Sequence, residues 1–126
     1  MTTSLSASTN CSSTSSPPRD QPSRAEGRPA QTSSVPGREV IQARVDLGPT
    51  APLVKHTHPG EEIIYILEGS LEYQVDGQPT RTYSAGDALT VPAGVIHAVR
   101  NVGSGNAAEL ATYVVEKGKP LITVVD

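Results

Sequence analysis

The sequence contains no phenylalanine or tryptophan, a single cysteine and only three histidines among its 126 residues. A core of this composition must be built mainly from valine, isoleucine, leucine and alanine, and β-branched side chains fit sheets best. The single cysteine, Cys11, excludes a disulfide bond within one chain, which fits a reducing compartment but does not require one. The composition therefore favours a β-rich domain whose three histidines are few enough to share one site.

Long apolar runs and basic patches are also missing. No apolar stretch approaches the roughly 18 residues of a membrane span, and no charged segment followed by an apolar run marks a secretory signal. We therefore expect a cytoplasmic protein that does not contact a membrane. The net charge of −3 divides into +1 over residues 1–35 and −4 over the remainder, so we expect no face that binds nucleic acid.

Serine, threonine and proline dominate residues 1–34. Such a composition cannot bury enough apolar area to offset the entropy of ordering the chain, so we predict a disordered N-terminal tail. Two alternatives stay open for this segment: an organelle transit peptide, or a lipoprotein signal that ends near Cys11. The remaining residues, 35–126, have room for one domain.

Alternating polarity predicts strands in the second part of the chain. Ile41, Ala43, Val45 and Leu47 alternate with polar residues, which is the pattern of a half-buried strand. The run 62–68 is apolar on both faces, which predicts a strand sheltered on both sides. Turn residues separate short strands and no segment has helical periodicity, so we predict an antiparallel β-barrel, with a sandwich as the related alternative. Because so small a domain buries little area as a monomer, we expect a homodimer.

Two histidines one residue apart, His56 and His58, point the same way if the chain there is extended. Two carboxylates follow, and strand alternation turns Glu61 towards solvent when Glu62 faces the histidines. The third histidine, His97, lies in a further predicted strand. Because neutral imidazoles and a carboxylate oxygen suit a divalent first-row metal, the pattern predicts one mononuclear metal site.

Two spaced motifs in the sequence resemble those of the cupin superfamily. The first has the form His-x-His, three or four residues, Glu, six residues, Gly, and residues 56–69 match it. The second runs Gly, five residues, Pro-x-Gly, two residues, His, three residues, Asn, and residues 86–101 match every position. The resemblance implies an all-β fold, a single antiparallel barrel of the jelly-roll type.

The same resemblance implies that the metal ligands are His56, His58, Glu62 and His97. The ion would be one of Fe, Mn, Ni, Zn or Cu, and this ligand set does not choose among them. Because similar proteins include quercetinase-like dioxygenases, oxidative chemistry on a small organic substrate is the leading expectation. The alternatives are Lewis-acid isomerase, decarboxylase or lyase chemistry, and a cupin that binds a small molecule without turnover.

The remaining predictions state which other side chains line the pocket and which are structural. Of the four tyrosines, Tyr73 and Tyr113 are the better candidates to line a substrate pocket. Asn101 is interpreted as a structural residue near the end of its strand. Glu109 and Lys117 are expected to lie outside the pocket.

Overall fold

The computed structural model describes residues 23–27 and 31–126, and in these ranges the chain forms eleven β-strands. In chain order the strands are β1 (Ser23–Gly27), β2 (Gln31–Thr32), β3 (Arg38–Leu47), β4 (His56–Thr57), β5 (Gly60–Glu68), β6 (Ser70–Val75), β7 (Arg81–Ser84), β8 (Ala88–Val91), β9 (His97–Asn101), β10 (Ala107–Glu116) and β11 (Thr123–Val124). Within the described ranges, no helix has the length and apolar character needed to cross a membrane.

The strands form two antiparallel sheets. The first sheet has the order β1-β3-β10-β5-β8, with β2 also paired to β3, and the second sheet has the order β11-β4-β9-β6-β7. The all-β, jelly-roll-type prediction is confirmed, but among the described residues no strand ladder joins the two sheets, so the barrel is not closed. The edge strands β7, β8 and β11 are short, which limits the unpaired backbone groups that closure would otherwise have to satisfy.

The core lies between the two sheets and is aliphatic, as the composition predicts. The first sheet contributes Ile64, Ile66 and Val91, and the second contributes Leu71; all four are at most 1% exposed. Burial of each such side chain stabilises the fold by about 1.5–3 kcal/mol. The two sheets are therefore held against each other mainly by apolar contact rather than by shared backbone hydrogen bonds.

Strand β5 differs from its prediction. Glu62, Ile64 and Ile66 are buried, whereas Ile63 and Tyr65 on the opposite face are 46% and 49% exposed. The prediction that this strand is sheltered on both faces is wrong for the single chain, because the first sheet packs against the second through one face only. An antiparallel sheet tolerates this arrangement, since its other face can meet solvent.

Two strands lie in the segment predicted to be a tail. β1 and β2 both pair with β3, so sheet pairing begins before the boundary predicted at residue 35. The rest of the predicted tail, residues 1–22 with Cys11 and residues 28–30, lies outside the described residues.

Asn101 ties together the loop that follows β9, in agreement with its predicted structural role. Its amide nitrogen donates to the carbonyl oxygens of Leu47 and Gly105, both at 2.8 Å. Its amide oxygen accepts from the backbone N–H of Gly103, also at 2.8 Å. Because Asn101 is buried, these three hydrogen bonds anchor the β9–β10 connection to the end of β3.

Candidate metal centre

The three histidines converge at one point of the second sheet. His56 lies in β4 directly opposite His97 in β9, and His58 follows β4 by one residue. One ring nitrogen from each histidine can be chosen so that all three lie within 4.8 Å of one another. Strand alternation brings His56 and His58 to the same side, as the sequence predicts, and strand pairing supplies His97 from about forty positions further along the chain.

Each imidazole is oriented by a backbone carbonyl oxygen at its Nδ1 atom. The Nδ1 atoms of His56 and His97 lie 2.8 Å and 3.0 Å from the carbonyl oxygens of Val54 and Val95. The Nδ1 atom of His58 lies 2.7 Å from the carbonyl oxygen of Leu121. A carbonyl oxygen only accepts, so each Nδ1 atom carries the hydrogen and, in the neutral ring, leaves the Nε2 lone pair free to bind a metal.

Glu62 reaches the histidines from the first sheet. Its Oε1 atom lies 3.1 Å from Nε2 of His97 and 3.2 Å from Nε2 of His58. Burial raises the pKa of Glu62, but its hydrogen bond with His97 and its close approach to both the His58 and His97 rings together outweigh burial and lower the pKa to about 2. Glu61 is exposed, so alternation along β5 turns the two carboxylates as predicted.

The contacts around Glu62 require a positive charge, because neutral imidazoles alone cannot satisfy them. His58 and His97 each face an acceptor at Nδ1 and the Glu62 carboxylate at Nε2, and a neutral ring has only one N–H to donate. Nε2 of His58 makes no hydrogen bond although it is fully buried. A proton on each ring, or one metal ion shared by the Nε2 atoms and the carboxylate oxygen, would satisfy this geometry. The residues present therefore suit a divalent metal, and the four-residue ligand set stays a prediction.

Burial and neighbouring charges shift the pKa values of His56 and His97 in opposite directions. Burial lowers the pKa of His56, and the neighbouring histidines lower it further. Burial also acts to lower the pKa of His97, but the hydrogen bonds to Glu62 and to the Val95 carbonyl oxygen, together with the negative charge of Glu62, outweigh burial and raise the pKa. At neutral pH His56 is thus held in the neutral form that metal binding requires.

A cavity of about 360 Å³ opens beside the histidines and Glu62. Its walls are mostly aliphatic and include Val45, Leu47, Val54, Val99, Leu121 and Ile122. Val54 and Ile122 are 43% and 53% exposed, so they lie at the mouth of the cavity. The volume is at the low end of the range for small-molecule sites.

Three further polar side chains share the cavity with the histidines and Glu62. Tyr73 and Tyr113 both line it, as predicted, and Tyr113 packs against the His58 ring with centroids 4.8 Å apart. Glu109 also lines the cavity, only 3% exposed, and accepts a hydrogen bond from the Tyr73 hydroxyl. Burial and the nearby Glu62 carboxylate raise the pKa of Glu109 well above its usual range, while burial raises the pKa of Tyr113.

The expectation that Glu109 lies outside the pocket is therefore wrong. Glu109 belongs to the same alternating set as Ala111, Tyr113 and Val115, all of which are buried. That parity along β10 was readable in the sequence and could have placed the carboxyl group on the inward face. Lys117 is exposed and is absent from the cavity wall, as expected.

Comparison with known proteins agrees with the two motifs. The family model described as Cupin domain matches residues 43–116, which is more than half of the chain. The chain belongs to the cupin family. The match includes both halves of the site, from His56 to His97.

The relatives of this cupin include plant and bacterial proteins. Germin-like protein 1-1 of Oryza sativa subsp. japonica is 36% identical over 92 residues, which cover 67% of this chain and 43% of that protein. Dimethylsulfoniopropionate lyase DddQ of Ruegeria pomeroyi is 44% identical over 45 residues, which cover 36% of this chain and 22% of that protein. The chain thus spans less than half the length of these curated relatives.

Among solved structures, the cupin resembles oxalate decarboxylase from Bacillus subtilis, a protein described with Mn(II) centres. The TM-score is 0.59 and the identity 26%, over 68% of this chain and 24% of that one. This likeness agrees with the two-sheet architecture described above.

Proposed function

We propose that this cupin binds one divalent transition metal ion through His56, His58, Glu62 and His97 and acts with it on a small organic molecule. The observation that carries the proposal is the arrangement of the imidazoles. All three Nδ1 atoms are committed to backbone carbonyl oxygens, and two of the Nε2 atoms converge on one carboxylate oxygen. Outer hydrogen bonds of this kind fix the orientation of metal-binding histidines in proteins.

We propose non-oxidative decarboxylase or lyase chemistry as the reaction class. Support comes from the relatives whose names state such activities, the oxalate decarboxylase and the dimethylsulfoniopropionate lyase. A bound divalent ion would supply Lewis-acid polarisation of a substrate oxygen. The Tyr73 hydroxyl and the Glu109 carboxyl would hold a proton at the cavity wall, and the aliphatic walls would exclude water from the reacting group.

The ion itself is proposed to be Mn, with Fe, Ni, Zn and Cu as the other members of the predicted set. The Glu62 oxygen adds a hard ligand to three imidazoles, which suits Mn or Fe, whereas Cu and Zn bind most tightly to an isolated site. Elemental analysis of protein purified without added metal tests the proposal. About one equivalent of a first-row metal per chain is expected in the wild-type protein. The His56→Ala, His58→Ala double variant should lose this metal. Retention of metal by the double variant would refute the ligand assignment.

Oxygen dependence separates the proposed chemistry from the dioxygenase prediction. Turnover of a candidate acid that continues under anaerobic conditions and with Zn in place of Mn supports decarboxylase or lyase chemistry. Oxygen uptake with Fe, Mn or Ni but not with Zn would instead support the dioxygenase. Saturable binding without turnover under either condition would identify a small-molecule-binding cupin.

A homodimer is proposed as the assembly of this cupin. The outward face of β5 presents Ile63, Tyr65 and Leu67, which are 46%, 49% and 37% exposed, and a second copy would remove this apolar stripe from water. Light scattering after size exclusion is expected to give twice the chain mass. Ile63→Lys should shift the measured mass towards that of the monomer. Glu61→Lys, on the same face but outside the apolar stripe, is the control. A monomeric wild-type protein would contradict the proposal. Cytoplasmic location remains a prediction.

A further inference from the structure

We propose that the cavity beside the histidines selects a substrate with one anionic oxygen group and an uncharged apolar body, and that it rejects a dianion. The inference rests on the proposed function, because the single anionic group is placed at the metal ion. It goes beyond that function by specifying the charge and polarity of the substrate.

The charges that face the cavity balance one anionic group and no more. A divalent ion with the Glu62 carboxylate and three neutral imidazoles retains a net charge of about +1. Among the described residues that line the cavity, none is a lysine or an arginine. Glu109 is the only other ionisable acid besides the tyrosines, and a negative charge on it would only lower the net positive charge, so the cavity balances at most one anionic group. A second carboxylate on the ligand would find no cation, and burying an unpaired charge is strongly unfavourable.

The walls away from the histidines are suited to hydrocarbon. Val45 and Leu47 from β3, Val99 from β9 and Leu121 from the C-terminal segment all line the cavity. None of these side chains offers a hydrogen-bonding group. A ligand body that displaces water from these side chains gains the free energy of apolar burial. Each buried methylene group contributes ~0.8 kcal/mol, which raises the binding constant about fourfold.

The polar residues of the cavity are concentrated at its histidine end and are engaged with each other. The Tyr73 hydroxyl donates to Glu109, and Tyr113 lies against His58 and opposite Glu62 in the β5–β10 pair. These groups can orient one oxygen-bearing head group. Because the rest of the lining is aliphatic apart from the proposed ligands, a second charged end would be forced onto apolar surface.

The similarity to oxalate decarboxylase makes the inference specific. Oxalate carries two carboxylates on adjacent carbons and no apolar body. If the cavity works as described, this cupin shares a fold and a reaction class with that enzyme but not its substrate. The favoured ligands are monocarboxylates with a short aliphatic chain.

Isothermal titration calorimetry on the zinc-loaded protein tests the inference without relying on turnover. The ligands are propanoate, butanoate, pentanoate and hexanoate, with glutarate as the dianion matched in length to pentanoate. We expect the dissociation constant to fall by about fourfold per methylene group and glutarate to bind at least tenfold more weakly than pentanoate. Zinc content is measured before and after each titration.

A cation introduced at the mouth of the cavity should weaken the discrimination between the monoanion and the dianion. Val54→Lys adds a positive charge at an exposed lining position, and Leu53→Lys adds the same charge to its neighbour, which is 41% exposed and does not line the cavity. Val54→Lys is expected to reduce the ratio of the glutarate dissociation constant to the pentanoate dissociation constant by about tenfold. Leu53→Lys should leave this ratio unchanged. Ile122→Lys, at another exposed lining position, repeats the test if Val54→Lys does not fold.

The outcomes separate the two proposals. A wild-type protein that holds no zinc overturns the proposed function and with it this inference. A protein that holds zinc overturns the inference alone under any of three results: glutarate binds as tightly as pentanoate, the dissociation constants do not change with chain length, or neither ligand binds.

Discussion

The carbonyl oxygen of Leu121 provides the sharpest test of how the metal centre is built. It accepts the Nδ1 hydrogen of His58 at 2.7 Å, and the strand that follows it, β11, pairs with β4 so that Val124 lies opposite His56. Ending the chain after Gly118 therefore removes the Nδ1 hydrogen-bond partner of His58 and the strand that pairs beside His56, while leaving every proposed ligand in place.

The size of the effect follows from these contacts. Loss of one outer hydrogen-bond partner of a ligating histidine typically lowers metal affinity by 10–100-fold, or about 1.4–2.7 kcal/mol. Because the shortened chain also loses the β11 pairing beside His56, we expect a rise in the zinc dissociation constant towards the upper end of that range. Competition against a chromophoric zinc chelator at neutral pH measures it.

A second truncation provides the control. A chain that ends after Val124 keeps Leu121 and all of β11, and loses only the hydrogen bond from the Val125 N–H to the Lys55 carbonyl oxygen. Its zinc affinity should be nearly unchanged. If both truncated chains fold, as judged by circular dichroism, and bind zinc as tightly as the full chain, the proposed role of the Leu121 carbonyl is refuted.

Three further predictions concern single residues. Glu62→Gln should lose most of the bound metal whereas Glu61→Gln retains it, as measured by elemental analysis, and equal retention would undo the assignment. Asn101→Ala removes three hydrogen bonds of a buried side chain, worth about 1 kcal/mol each, so urea unfolding should show a loss of about 3 kcal/mol, against less than about 0.5 kcal/mol for the exposed Asn106→Ala. Similar losses in both variants would contradict the structural role. In the metal-free protein the pKa of Glu62 is lowered to about 2, so its stabilising effect is complete above the pKa of the unfolded chain and is lost as pH falls through 2. Urea unfolding across this acidic range should therefore show a steeper loss of stability for the wild-type protein than for Glu62→Gln, and parallel curves would argue against the shift.

The sequence was sufficient for the elements whose information is local. Alternation placed His56 and His58 on one side and turned Glu61 outward, and the spacing of the second motif identified His97 as the third member. The alternating pattern of β3 was predicted for the same reason, because it depends on neighbours within a few positions. Asn101 was predicted to be structural from its place near a strand end, but its hydrogen bond to Leu47 joins it to a residue 54 positions away.

What could not be predicted depends on contacts between distant segments. The partner of His58 is a carbonyl oxygen 63 positions away, and a backbone acceptor leaves no trace in side-chain identity. The exposure of Ile63 and Tyr65 depends on which face of the first sheet has a partner layer, which the apolar run alone does not specify. Glu109 was misjudged because a lone acidic residue in a strand is usually exposed, and only its parity with Tyr113 argued otherwise.

The division of the site between the two sheets has a consequence for how the protein opens. His56 and His97 belong to the second sheet and Glu62 to the first, and among the described residues these sheets share apolar contacts but no strand ladder. A metal ion held by all three residues would cross-link the layers, so that separating them and releasing the ion become one cooperative event. Native-state hydrogen exchange should then show the central amides of β5 and β9 slowing together when metal is added, with the distant β7 edge responding far less.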